Sequence, residues 1–178
     1  MATVIAGSTI GFRTSVDGRG NLGEDLTRMG GDSFHSPFIW HPGPTMIYLS
    51  RAPDDDLSAY RGEGNWIKIA YAGPIDNWTW QSTGERDVNF TIPKSTPPGK
   101  YLVRVEHFMP TDEEPPYQQF YINCALVEIR GQGGGAWPVE GVKFPGSYRA
   151  DGEGEFFLSF FSPPSFSFVR WHVVDLSH

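Results

Sequence analysis

Cysteine is nearly absent: Cys124 is the single one among 178 residues. A lone cysteine on a strand usually serves as a small hydrophobe, whereas in a secreted chain an odd one implies a partner elsewhere. Basic residues are also few, with Lys and Arg totalling 14 against 21 Asp and Glu, for a formal net charge of −7. Nucleic-acid binding relies on basic side chains that neutralise phosphates, so this chain is poorly suited to it. A neutral polymer such as a glucan needs no such complement. No apolar run approaches the length of a membrane span, and no charged-then-apolar leader precedes a small-residue cleavage site. No stretch holds a 3.6-residue apolar period over three turns. A Walker loop, a nucleophile-elbow serine and a Cys-x-x-Cys pair are all missing.

What the chain does have is turn formers and aromatics: 21 Gly, 15 Pro, 13 Phe and 6 Trp. The length is that of one domain able to bury a sizeable core. Short β-branched and aromatic runs lie between Gly, Pro, Asp and Asn, the pattern of strands. They are Thr3 to Phe12 in two pieces around Ala6-Gly7, then Thr45 to Ser50, Trp66 to Tyr71, Val88 to Ile92, Tyr101 to His107, Gln119 to Arg130 and Phe156 to Phe161. Such spacing argues for an all-β, antiparallel sandwich. The polar, Gly-rich stretch from Ser15 to Trp40 is a long loop of the kind that is functional or disordered. Gly131 to Ala136 is a second flexible stretch, expected to lead into a C-terminal segment wrapped over the surface. Aromatic abundance fits ordinary core packing, or a few rings lying flat on the surface to stack on sugars.

Several motifs dissolve on inspection. Gly18-Arg19-Gly20-Asn21-Leu22-Gly23 has dinucleotide-fingerprint spacing, but the residues after it are too short and Gly-broken for the required helix. Asp54-Asp55-Asp56 lacks the spaced ligands of a calcium loop and reads as solvated. His35 has no metal-ligand spacing to His41. His107 alternates with Tyr101, Val103 and Val105, as a core or strand-end histidine would. Asn77-Trp78-Thr79 and Asn89-Phe90-Thr91 are glycosylation sequons that favour a secretory route, although such triplets also arise by chance.

Two motifs carry chemistry. In His41-Pro42-Gly43-Pro44 the prolines fix φ, so the imidazole leaves a stiff turn, and a preorganised ligand costs less to order when a metal binds. Taken alone, this is more simply a surface histidine beside a Pro-rich turn. In Gln119-Phe120-Tyr121-Ile122 alternation puts Gln119 and Tyr121 on one face and Phe120 and Ile122 on the other. A phenol can neighbour a metal weakly and an amide can hydrogen-bond a bound oxygen species, or both can simply be polar groups on a solvated face.

Together, these strings resemble the auxiliary activity family 9 lytic polysaccharide monooxygenases, formerly glycoside hydrolase family 61. The matching pieces run in family order: Ala6 to Phe12 (AGSTIGF), His41 to Pro53 (HPGPTMIYLSRAP), Trp66 to Ile69 (WIKI), Ile92 to His107 (IPKSTPPGKYLVRVEH), Gln119 to Cys124 (QFYINC) and Phe144 to Tyr148 (FPGSY). The resemblance implies an immunoglobulin-like β-sandwich with one copper ion on a flat face. It implies that His41 is the internal copper-ligating histidine, Tyr121 the axial tyrosine and Gln119 the neighbouring amide that steers oxygen. Imidazole nitrogen suits copper. With an external reductant and oxygen or hydrogen peroxide, the ion supports hydroxylation at C1 or C4 of cellulose or a related β-1,4-glucan, and the glycosidic bond breaks.

The resemblance also implies features that this chain lacks. A histidine at the mature N-terminus should give two more nitrogen ligands, yet the sequence begins Met1-Ala2-Thr3. The chain is therefore expected to be a single, partial catalytic domain over 1–178, missing its signal peptide and inactive as it stands. A further histidine that helps position peroxide or superoxide is expected where Thr111 stands. Cys124 is implied to pair with a cysteine in the missing front, and a sandwich deprived of leading strands should be poorly soluble. The tail over 150–178 departs from the family. The expected parent is a secreted, extracellular monomer that meets a glucan surface and a small-molecule or protein electron donor. The alternatives are a non-catalytic polysaccharide-binding sandwich and a copper-handling protein.

Overall fold

The computed structural model describes residues 1–15, 38–109, 119–147, 165–166 and 170–175. Among these residues, nine strands follow the turn signals: β1 (Ala2–Ile5), β2 (Thr9–Ser15), β3 (Thr45–Arg51), β4 (Ile67–Ala72), β5 (Asp87–Thr91), β6 (Gly99–Met109), β7 (Gln119–Arg130), β8 (Ser165–Phe166) and β9 (Arg170–Asp175). A six-stranded sheet runs in the order β1-β7-β6-β3-β4, with β8 also paired to β7, and a three-stranded sheet runs β5-β2-β9. The pairings are antiparallel except for β1 and β8, which run parallel to β7. The architecture is the β-sandwich expected from the sequence.

Alternation builds the core. From the smaller sheet, Ile10 and Phe12 of β2 and Val88 and Phe90 of β5 point inward. From the larger sheet they meet Ile47 and Leu49 of β3, Tyr101, Val103 and Val105 of β6, and Val127 and Ile129 of β7. The Phe12 and Phe90 rings stack with centroids 6.0 Å apart. Each such buried side chain stabilises the fold by about 1.5–3 kcal/mol relative to exposure.

The larger sheet is covered on its outer face as well. Met46, Tyr48, Trp66, Leu102, Phe108 and Phe120 form a second apolar cluster there, joined by Ile122 and Phe144. This double burial is why β3 reads as the near-continuous run TMIYLS rather than alternating. Its cover comes from the segment after β7, where Val142 bridges to Trp66 and Phe144 meets Tyr48 edge-on. The expected surface wrap after Gly131 is thus present.

Among these apolar groups lies an ion pair. The Glu106 side chain is fully buried and accepts from Arg104 Nε at 3.0 Å and from Arg104 Nη2. The guanidinium sits 4.1 Å from the centroid of the Phe144 ring. Cys124 is a free thiol, exposed.

Asp54, Asp55 and Asp56 are exposed, the solvated segment expected from the sequence. Pro53–Asp55 forms a single 3-10 turn there with positive φ at Asp54 and Asp55, and Asp55 accepts from the Lys100 amide at 3.2 Å. One element departs from the sequence reading. The tail, to which sequence assigned no role, supplies β9 along β2 from Ile10↔Asp175 to Ser15↔Arg170. The run Val173-Val174 gives that segment β propensity, and β2 is thereby paired on both edges. The strand expected over Phe156 to Phe161 lies outside the described residues.

Candidate metal centre

Pro44 hands the chain directly to β3, so the stiff turn and the sheet share one fixed end. Register then aligns a row across three strands: Thr45 pairs with His107, and His107 pairs with Tyr121. These positions have the inward parity of Ile47, Val105 and Val127, so the row caps one end of the core. Both His107 and Tyr121 are buried, with 2% and 6% of their surface exposed. His41 is half-buried above them. Its ring stacks on Tyr121 with centroids 5.6 Å apart and planes 19° apart, and His107 tilts against the other side of the site at 5.8 Å from Tyr121.

His107 acts as a strut rather than a ligand. Its Nε2 lies 3.1 Å from the His41 carbonyl oxygen and its Nδ1 lies 2.9 Å from Thr45 Oγ1. A carbonyl only accepts, so Nε2 carries the proton and Nδ1 accepts from the threonine hydroxyl. Burial favours this neutral form and pushes the His107 pKa down to about 4. Both nitrogens are thereby occupied. The same carbonyl also accepts from Thr83 Oγ1 at 3.3 Å, and Ser82 Oγ donates to Gly43 O at 3.1 Å. Gly84 N–H donates to Ile39 O at 2.8 Å, and Ile39 N–H to Glu85 O at 2.9 Å. The turn that holds His41 is thus clamped from both flanks.

The His41 imidazole itself makes no hydrogen bond to protein among the described residues, and partial burial lowers its pKa. A nitrogen lone pair is therefore available near neutral pH. Burial raises the Tyr121 pKa, so the phenol stays protonated. Its hydroxyl donates to Gln119 Oε1. The sequence left this amide free to meet a ligand; the fold ties its oxygen to the phenol and leaves the NH₂ end as the donor.

A cavity of about 120 Å³ opens here, lined by Thr14, Phe38, Ile39, Trp40, His41, His107 and Tyr121. Ligand pockets for drug-sized molecules measure roughly 300–1,000 Å³, so this one suits an ion and small diatomic or water-sized ligands. Anything polymeric has to lie across the outside, where Trp40 is 60% exposed beside His41. Imidazole nitrogen and phenol oxygen are a fitting start to a copper set. They are not a complete one: no group of three or more His, Cys, Asp or Glu side chains gathers among the described residues.

The sequence paired His41 with Gln119 and Tyr121, and the structure brings these three together. It missed His107 as the group that fixes the His41 carbonyl, along with Thr45 and Thr83. The 45–107–121 register reveals His107 and Thr45, and the packing of the 82–85 turn on the His41 turn reveals Thr83; no local pattern encodes either. Thr111 and His35 lie outside the described residues.

Comparison with known proteins bears on the family and the fold. The profile of "Auxiliary Activity family 9 (formerly GH61)" matches residues 1–164. A curated relative from Thermothielavioides terrestris, AA9 family lytic polysaccharide monooxygenase U, is 50% identical over 153 residues, covering 86% of this chain and 53% of the relative. The chain thus spans about half the length of that protein. Among solved structures, Cel61B from Hypocrea jecorina, a glycoside hydrolase family 61 member, superposes with a TM-score of 0.66 at 22% identity, over 94% of this chain and 68% of that one. A cellulose-active polysaccharide monooxygenase from M. thermophila superposes with a TM-score of 0.53 at 23% identity, over 74% and 54% respectively. At these identities the structural likeness speaks for the fold.

Proposed function

The chain belongs to auxiliary activity family 9, and from that premise we propose that the protein is a secreted, copper-dependent enzyme that oxidatively cleaves cellulose or a related β-1,4-glucan. The observation that carries the reading is the stacking of His41 on Tyr121, 5.6 Å between centroids, from a Pro-pinned turn and a distant strand. Curated relatives are named lytic polysaccharide monooxygenases and one structural neighbour is described as cellulose-active.

In this reading His41 supplies one imidazole nitrogen to copper and the neutral Tyr121 phenol stands at a weaker position. When bound, copper supplies the activation of oxygen or peroxide that removes hydrogen from C1 or C4 of the sugar. The chain's residues do the positioning. His107 and Thr83 hold the His41 backbone, so the imidazole has little freedom to lose on binding. Gln119 keeps the phenol proton in place, and its NH₂ remains as a hydrogen-bond donor. The small cavity admits the oxidant while the polymer stays outside, across Trp40.

One imidazole is a weak copper site, so residues 1–178 alone are expected to bind copper loosely and oxidise little. The two further nitrogens that the family resemblance implies come from an N-terminal histidine. The test incubates the chain, with and without a front extended to a processed N-terminal histidine, with copper, ascorbate and cellulose. Oxidised oligosaccharides from the extended chain only are the expected result. None from either would reject the enzyme. The sparse donor set favours, as second reading, a non-catalytic polysaccharide-binding sandwich, which cellulose pull-down without oxidation would support.

A further inference from the structure

The hairpin over Gly73–Gln81 is not used by the metal centre, and its tip carries one of the two sequons. Gln81 N–H donates to Gly73 O at 3.0 Å, Ile75 N–H donates to Thr79 O at 2.7 Å, and Pro74 bridges to Trp80. At the tip, the Asp76 carboxylate accepts from the Trp78 and Thr79 amides, each at 2.8 Å, and from the Thr79 hydroxyl. This ordered turn displays Asn77 to solvent. Beside it, Trp78 is 89% exposed and Ile75 is 65% exposed. A tryptophan left this bare on a well-bonded turn is unusual, because its ring could bury much apolar area if anything covered it.

The second sequon is differently placed. Asn89 lies in the middle of β5, opposite Gly11 of β2, and its Oδ1 lies 2.2 Å from where a Cβ on Gly11 would stand. Its carboxamide lies down on the sheet, and the Thr91 hydroxyl is shared with Thr9 at 3.2 Å. A glycan there has to run across a flat strand surface.

We propose that Asn77 carries an N-linked glycan whose first N-acetylglucosamine lays its apolar face on the Trp78 indole. Formation of the link is a group transfer. The Asn77 Nδ2 attacks the anomeric carbon of a lipid-pyrophosphate-linked oligosaccharide, forming the N–C bond. The bond from that carbon to the pyrophosphate oxygen breaks, the lipid pyrophosphate leaves, and Nδ2 loses one proton. No oxidant or reductant is involved. Thr79 supplies the hydroxyl that the triplet requires. The inference rests on the secretory part of the function proposed above and not on its copper chemistry.

The test expresses the full chain behind a secretion leader in a yeast or filamentous fungus and maps glycopeptides by mass spectrometry. The expected result is an N-acetylglucosamine-based glycan on Asn77, lost in Asn77→Gln. An Asn77 that is bare in the secreted chain, whether or not Asn89 is modified, overturns the proposal. Stacking is read on the folded wild-type glycoprotein, so a variant that fails to be secreted does not block it. Trimming with an endoglycosidase that leaves the first sugar keeps Tm unchanged. Complete removal with an amidase lowers Tm by about 2–4 °C, and in Trp78→Ala the same removal has no effect. An unchanged Tm after complete removal from wild type rejects the stacking. A glycosylated chain inert toward cellulose, even with an N-terminal histidine, sinks the enzyme reading alone; an active chain with bare Asn77 sinks this one alone.

Discussion

At the residue scale, His41, His107 and Tyr121 have separable tasks. His41 offers the free lone pair, so His41→Ala should abolish the nitrogen-coupled copper(II) resonance signal while leaving Tm nearly unchanged, since the ring is only half-buried. Retention of nitrogen hyperfine structure in that variant would remove His41 from the site. His107 bridges a carbonyl and a threonine hydroxyl inside the core. Its replacement by Leu leaves the Thr45 hydroxyl without its partner and the His41 carbonyl with Thr83 alone, at a cost of about 1–3 kcal/mol, readable as a lower urea midpoint with unchanged slope. Loss of a strut should also loosen copper binding, whereas a merely structural role would not. Sequence could nominate His41 and Tyr121 because a Pro-flanked histidine and an i, i+2 polar pair are local patterns. It could not tell that His107 serves His41, because their contact depends on how β3 and β6 align.

At the element scale, β6 shows how a strand can be covered on both faces and still carry charge. Arg104 and Glu106 share the outer face under Phe144. Arg104→Met removes the guanidinium that faces the buried Glu106 carboxylate and should cost about 3–5 kcal/mol, while Arg104→Met combined with Glu106→Gln should recover much of that loss. Denaturation of wild type, Arg104→Met, Glu106→Gln and the double variant gives the coupling. On β2, Arg13 donates two hydrogen bonds to Asp87 of β5, at 2.7 and 2.9 Å, and these hold the Asp87 pKa below its ordinary value near 3.8. The folded pKa is the lower one. The stabilisation is therefore full above about pH 4 and is lost as pH falls through the folded value. Asp87→Asn should flatten Tm against pH below 4, and the effect should shrink with salt because the pair is partly exposed. Strand positions were legible from turn residues, with β7 read end to end. The pairing of β9 with β2 was not, because local β propensity says nothing about which distant edge a strand will fill.

At the scale of the whole molecule, the candidate metal centre is the capped end of the inter-sheet core. Phe12 lies in that core, 1% exposed and stacked on Phe90. Phe12→Ala should lower stability by about 3–5 kcal/mol, measured by chemical denaturation. The variant that still folds should keep its copper spectrum, because the register of β3, β6 and β7 is set by the larger sheet. A changed spectrum would mean that the smaller sheet also positions the site.

Turn spacing and strand alternation determined an antiparallel β-sandwich, and the ordered motifs carried the resemblance to family 9 that nominated His41, Gln119 and Tyr121 as its chemical residues. Periodicity and turn chemistry act over a few residues, and those features need nothing longer. Only the tertiary structure decided that His107 holds the His41 carbonyl, that Gln119 is tied to the Tyr121 hydroxyl, and that Arg104 and Glu106 are buried together. Each depends on the register between distant strands and on what covers the outer face, and a hydrogen bond a few ångströms long has no signature in sequence until register sets its ends opposite one another.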